Sequence, residues 1–268
     1  MKAACETAAS FAARVVRWQR RHGRHDLPWQ AGGDAYRVWL SEIMLQQTQV
    51  ATVVPYFARF VTHFPDVRAL AAASEDAVLA LWSGLGYYSR AHNLHAAARA
   101  IVTEHGGRFP DTQQELAALP GIGRSTAAAI AALAFGRRCA ILDGNVKRVL
   151  ARHAGIEGWP GARAVETALW QLAEARVPSR DIRAYTQGLM DLGALVCTRQ
   201  RPACDTCPLR ADCVARETGR SAEIPAPRPR RVLPEKSVAM LLLRDRGELM
   251  LEKRPPRGVW GGLWSLPE

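Results

Sequence analysis

The sequence predicts an all-α protein that gives way, near its end, to the start of a β-containing domain. Three observations predict it. Apolar residues recur at helical spacing over about the first 220 residues, the connections between those runs are short and marked by Gly or Pro, and no convincing strand pattern occurs before about residue 235. Phe11, Val15 and Trp18 form the first stripe, at i, i+4 and i+7, and Leu27-Pro28-Trp29 breaks it. Asp34 is a good N-cap for a helix whose apolar face runs through Tyr36, Leu40, Ile43 and Met44. Pro55 suits the first turn of the next helix. Further helices are expected over 74–82, 91–104, 113–119, 125–135, 145–154, 162–175 and 182–192.

The chain has 268 residues, 48% of them hydrophobic, enough for one large core or two smaller ones. Lys and Arg number 36 against 25 Asp and Glu, a formal charge of +11. That balance favours a polyanionic partner, nucleic acid first. No apolar run approaches a membrane span, and the first residues lack the uninterrupted apolar core of a secretory signal, so an intracellular, cytoplasmic location is expected.

Composition shifts at 225–231, Pro-Ala-Pro-Arg-Pro-Arg-Arg, which reads as part of an exposed linker spanning 220–235. Beyond it, 237–243 and 248–251 read as strands. About 33 residues, 236–268, remain for this second domain, too few to bury a core of their own, so the chain reads as truncated.

The most specific signal is Cys197-x6-Cys204-x2-Cys207-x5-Cys213. In a reducing compartment such a run argues for metal binding over disulfides. A structural zinc site usually pairs two Cys-x-x-Cys knuckles, and here the second is missing. Four thiolates with irregular gaps suit a cubane 4Fe-4S cluster. Arg199 and Arg201 lie between the first two cysteines, in a loop such a cluster would tie at both ends, and they are candidates for phosphate contact.

Residues 119–123, Leu-Pro-Gly-Ile-Gly, join two helices. Gly121 and Gly123 allow a tight turn with exposed N–H groups beside a helix N-terminus, a ready phosphate site. Ser125 follows as a helix-starting hydroxyl. Glu42 sits among Leu40, Ile43, Met44 and Leu45, where desolvation would raise its pKa and let it serve as a general acid. Asp143 precedes a helical run and reads as an N-cap, kept ionised by the first-turn N–H groups. Tyr87, after Gly84-Leu85-Gly86, could stack on or wedge between bases, and Gln47 stands at a position where an apolar residue is due.

The hairpin followed by a helix, then Ile-Leu-Asp-Gly-Asn-Val-Lys-Arg at 141–148, then the cysteine run, resembles the helix-hairpin-helix DNA glycosylases of the endonuclease III superfamily. Trp-Leu-Ser-Glu-Ile-Met-Leu-Gln-Gln-Thr at 39–48 and Trp-Ser-Gly-Leu-Gly-Tyr-Tyr at 82–88 make the chain most similar to its adenine DNA glycosylases, the MutY family. The resemblance covers about residues 10–268. It implies two helical modules with the active site between them: a six-helix module over 29–135, and a cluster module combining 1–28 with 136–219.

It also implies residue roles. Glu42 would be the catalytic acid, Asp143 the second catalytic carboxylate, and Asn145 and Ser125 their neighbours. Gln47 and Tyr87 would fill the duplex around an extruded base, with Trp29, Gln30 and Gln187 near the base pocket. The implied reaction is hydrolysis of the glycosidic bond of adenine mispaired with 8-oxoguanine or guanine in double-stranded DNA, by a monomeric, nucleoid-associated bacterial repair enzyme without a membrane partner. Residues 240–268, including Trp260-Gly-Gly-Leu-Trp264, resemble the opening of that family's Nudix-like α+β domain, which reads the 8-oxoguanine. Two rival readings remain. A bifunctional glycosylase/lyase would carry a nucleophilic lysine where this chain has Ser125, and a non-catalytic iron–sulfur DNA-binding protein would have no use for Glu42 and Asp143.

Overall fold

The computed structural model describes residues 2–230, 234–235, 237–255 and 258–268. Helices dominate the chain in the order α1 (Lys2–His22), α2 (Ala35–Met44), α3 (Val50–His63), α4 (Val67–Ala72), α5 (Glu75–Trp82) and α6 (Ser89–His105). They continue with α7 (Gln113–Ala118), α8 (Arg124–Phe135), α9 (Gly144–Ala154), α10 (Arg163–Arg176), α11 (Ile182–Asp191) and the short α12 (Val214–Glu217).

Local chemistry sets most helix starts. Asp34 accepts from Tyr36 N–H, Ser74 from Ala77 N–H, Thr112 from Glu115 N–H and Asp143 from Val146 N–H. Thr112 and Glu115 also pair side chain to side chain, in the sequence spacing of a capping box.

Buried side chains fall into two clusters. One gathers α2 to α8, with Trp39, Phe57, Phe60, Leu70, Trp82, Leu94 and Ile101 at its centre. The other joins Phe11 and Val15 of α1 to Val149 and Leu150 of α9, Leu169 of α10, and Tyr185 and Leu189 of α11. Helix α8 belongs to both. Ala127, Ile130, Ala131 and Ala134 enter the first cluster, while Ala128, Ala129 and Ala132 enter the second. Alanine suits this place, since a helix packed on two sides can be closely approached on both only if its side chains are short.

Several elements depart from expectation. Pro55 lies inside α3, which starts at Val50 after Gln49; the only internal bond the ring removes is the one its N–H would give to the first turn. Helix α4 was not anticipated. It has six residues, too few to show a period, and is started by Asp66 accepting from Arg68 and Ala69 N–H. The expected linker begins inside the second cluster: Ile224 is buried, and Ala226 N–H donates to Gly158 O at 3.1 Å.

The expected strand at 237–243 does not form, and that at 248–251 is shortened to its first two residues, within two short antiparallel pairs. β1 (Arg244–Asp245) pairs with β2 (Glu248–Leu249), and β3 (Glu252–Lys253) with β4 (Trp264–Ser265). Leu241, Leu242, Leu243, Met250 and Leu251 stay exposed, because no second layer among the described residues covers them. This segment docks on the first helical module through Lys253 Nζ to Asp76 (2.6 Å) and His92 Nε2 to Gly261 O (3.0 Å).

Candidate active site

A cavity of about 560 Å³ opens where the two clusters meet across α8. Glu42 from α2 and Asp143 from the start of α9 both line it, together with Ser125, Asn145 and Arg24. Leu45, Val50, Ala129, Ile141 and Met190 supply the apolar part of its wall, and Gln46, Thr48, Gln49 and Thr126 the rest.

The wall acts on both carboxyls. Burial, then the negative charge of Asp143, push Glu42 up to about 8. Asp143 is also raised by burial, which outweighs the N–H donors of Val146 and Asn145 and the nearby Arg148 and Lys147. Capping therefore does not keep Asp143 low, as its sequence position suggested; it limits the rise. Because the Asp143 charge is one cause of the Glu42 shift, Asp143 ionises first and Glu42 keeps the shared site's last proton. The two carboxyls of one cavity thus give up their protons in order, Asp143 before Glu42.

Ser125 is not the helix-opening residue. Gly123 is the N-cap of α8 and Arg124 its first residue. The Ser125 hydroxyl instead accepts from Leu142 N–H at 2.9 Å, holding the segment that delivers Asp143 against α8. Asn145 accepts from Arg148 Nη2 at 2.8 Å, and Arg148 also donates to Gly193 O and Cys197 O, both at 2.7 Å. Any side chain at Gly193 would meet Asn145 Cβ at 2.6 Å, so the glycine lets the chain after α11 pass against the start of α9.

The residues expected near the base pocket stand behind this wall. Trp29 is buried in the first cluster, edge-on to Phe57. Gln30 Nε2 donates to Arg24 O at 3.1 Å. Gln187 Nε2 donates to Asp191 at 2.9 Å. Asp191, fully buried, in turn accepts from the Arg24 backbone N–H (2.9 Å) and Nε (2.7 Å). Gln30 and Gln187 thus support Arg24, and Arg24 is the residue that reaches the cavity. The sequence marked its two supports and missed it.

Gln47, Tyr87 and Gly121 share a smaller hollow of about 190 Å³. Gln47 (φ 58) and Tyr87 (φ 49) are both exposed and both left-handed, a strained choice for residues with side chains. The buried Arg90 holds them there. Its guanidinium donates to the carbonyls of Met44 (2.7 Å), Gln46 (2.6 Å) and Leu85 (3.1 Å), pinning the end of α2 to the loop carrying Tyr87. Gly121 (φ 74) is irreplaceable on two counts, since a Cβ there would also sit 2.6 Å from Asn93 Cβ. Gly123 has open space around it, so its contribution is an N-terminus without a side-chain cap, leaving first-turn donors free.

Cys197, Cys204, Cys207 and Cys213 line one further cavity, and none is in a disulfide. Among the described residues no group of three or more His, Cys, Asp or Glu side chains is placed to hold a metal ion. Arg152 reaches into this region, donating to Thr198 O (2.6 Å), Arg199 O (3.0 Å) and Cys197 Sγ (3.4 Å). The Arg199 and Arg201 side chains point away to solvent, outside the catalytic cavity.

Residues 40–175 match the family model of the HhH-GPD superfamily base excision DNA repair proteins. The adenine DNA glycosylase of Buchnera aphidicola from Acyrthosiphon pisum is 40% identical over 258 residues, covering 96% of this chain and 74% of that one. The human adenine DNA glycosylase is 36% identical, covering 96% of this chain and 57% of its own. This chain belongs to the adenine DNA glycosylases of base excision repair. Among solved structures, a thermostable thymine-DNA glycosylase superposes with a TM-score of 0.70 at 28% identity, covering 80% of this chain and 98% of that one. An endonuclease III–DNA complex shares the fold, with a TM-score of 0.67 at 18% identity over 80% of this chain and 97% of that one.

For an adenine DNA glycosylase, the raised Glu42 has a measurable consequence. A folded-state pKa of about 8 lies above the unfolded value, so the folded chain holds a proton the unfolded chain releases. Stability from this group is full below about pH 4 and is lost as pH rises through about 8. Glu42→Gln is expected to unfold at higher denaturant than the parent at pH 9, by a few kcal/mol, with the gap closing toward pH 4. Equal midpoints at both pH values would show that Glu42 is not held protonated by its surroundings.

Proposed function

We propose that this adenine DNA glycosylase hydrolyses the glycosidic bond of adenine mispaired with 8-oxoguanine or guanine, and leaves the abasic strand uncut. The observation that carries the reading is the pairing of buried Glu42, pushed up to about 8, with Asp143 in one cavity. The adenine must leave the helix to reach these groups, at a cost lowered by mispairing. Gln47 and Tyr87, presented together on their strained backbone, suit filling the gap it leaves. Glu42 donates its proton to the base, at N7 for a purine, so the leaving group departs neutral. Asp143, ionised, stabilises the positive charge that develops on the sugar, in the manner of a two-carboxylate glycosidase.

No lysine lines the cavity, and Lys147 is held by Glu166 at 2.7 Å. The Ser125 hydroxyl is taken up by the backbone N–H of Leu142 and carries no amine that could attack the sugar. Both facts support hydrolysis without strand cleavage. Reading of the base opposite adenine fits the place where the C-terminal segment meets the first module: a hollow of about 550 Å³ is bounded by Tyr87 and Tyr88 on one side and Trp260 on the other.

The reading extends to a 4Fe-4S cluster held by Cys197, Cys204, Cys207 and Cys213. Four free cysteines lining one cavity supply the soft sulfur donors such a cluster takes, and that chemistry rather than a preset ligand geometry supports the reading. Bound there, the cluster would cross-link the 197–213 loop and fix Arg199 and Arg201 for phosphate contact.

Three outcomes are expected. Glu42→Gln should lower single-turnover adenine release from a duplex with one A:8-oxoguanine pair by about 10²–10⁴-fold, with duplex binding retained. Release near the parental rate would remove Glu42 from the mechanism. Purified protein should carry about four iron and four acid-labile sulfide per chain; zinc without sulfide would reject the cluster. Ser125→Lys should yield a borohydride-trappable DNA adduct and some alkali-independent nicking. Efficient nicking by the unmodified protein would favour the bifunctional alternative.

A further inference from the structure

Outside the catalytic cavity, and sharing no residue with it, a groove of about 690 Å³ runs between the second half of α1 and the α10–α11 connection. Six arginines line it: Arg17, Arg20, Arg21, Arg138, Arg176 and Arg180. Asp181 is the sole carboxylate in the lining, and it is already paired with Arg20 at 2.7 Å. Arg138 donates to Val177 O at 2.9 Å. Arg17, Arg21 and Arg180 are exposed and have no partner among the described residues. Arg176 lies over the Phe11 ring at 4.2 Å, and its Nη1 is buried without an acceptor.

So many like charges in one concavity repel one another, and a buried N–H without an acceptor is costly, unless an anion completes the site. The backbone adds to the field. Asp181, N-cap of α11, makes no side-chain cap bond, so the first-turn donors of α11 remain free at the groove's edge. Arg17, Arg20 and Arg21 share one face of α1, and Arg17 to Arg21 spans about 6 Å of helix axis. That is close to the through-space separation of neighbouring phosphates on one strand. Guanidinium forks match phosphate oxygens in pairs.

We propose that this groove binds the phosphodiester backbone of a second stretch of nucleic acid, beyond the duplex engaged at the catalytic cavity. The enzyme could then hold flanking or neighbouring DNA while one adenine is tested. The proposal goes beyond the glycosylase reading and is separable from it.

The test titrates the full chain with a fluorescent duplex of about 12 bp, after one equivalent of the same unlabelled duplex has been added. The wild type should take up a second duplex with a steep salt dependence. Arg17→Ala/Arg21→Ala/Arg180→Ala should weaken that second event about tenfold or more, flatten its log–log salt slope by about 2–3, and leave single-turnover adenine release unchanged. Arg180→Gln alone, on an exposed connection, should give a smaller change of the same sign and guards against misfolding of the triple variant. Equal second-site binding by wild type and variants would overturn the proposal. So would a site that takes tripolyphosphate or polyglutamate but no duplex. Loss of adenine release in the wild type would reject the glycosylase reading alone, because the second-site titration does not depend on it.

Discussion

The structure depends on one helix being thin. Helix α8 is buried on both sides, with alanines toward each cluster and Ile130 the one large side chain among its buried positions. Close approach on both faces sets the separation of the two modules, and so the width of the cavity that opens between them. The same helix begins at the hairpin, so its uncapped N-terminus is offered to phosphate while its second residue, Ser125, faces inward. The bond from Leu142 N–H to Ser125 transmits the position of α8 to the residue that follows, Asp143. Glu42 and Asp143 lie in different modules and share a cavity because α8 holds both modules to it.

Buried and half-buried arginines fasten the parts that regular structure does not. Arg90 ties the end of α2 to the Tyr87 loop, Arg148 ties Asn145 to the chain after α11, and Arg152 ties α9 to the cysteine loop. Each spends its fork on carbonyls left over at helix ends and in loops, which would otherwise be unsatisfied in low-dielectric surroundings. Arg24 differs. It is fastened at one edge by Asp191 and still lines the cavity, so its charge belongs to the site rather than to the framework. A cation at the mouth of a cavity favours a phosphate-bearing substrate.

The electrostatics of the site also show what catalysis sets against stability. Burial raises Glu42 to the range where it can protonate a base, and it also raises Asp143, whose useful form is the anion. The N–H groups at the start of α9, Arg148 and Lys147 pull Asp143 back. Identical functional groups are thereby separated by their neighbours: one is simply buried, the other faces the positive end of a helix.

The sequence by itself determined what depends on near neighbours. The helical stripes, the caps at Asp34 and Asp143, the turn at Gly121 and the apolar setting of Glu42 are all legible, because each is written within a few residues. The motif at 141–148 placed Asp143 and Asn145 in the site, though only the fold brought Glu42 to meet them across about a hundred residues of chain. Tertiary structure decided the rest. Ser125 looked like a helix start and became a tether, since its partner lies 17 residues on. Trp29 went to the core, and Gln30 and Gln187 became supports of an arginine that carried no local signal. Pro55 was absorbed into a helix that begins at Val50 and buries Val53 and Phe57. The 237–243 run kept the composition of a strand without becoming one, because a strand is completed by pairing and cover, neither of which local sequence supplies.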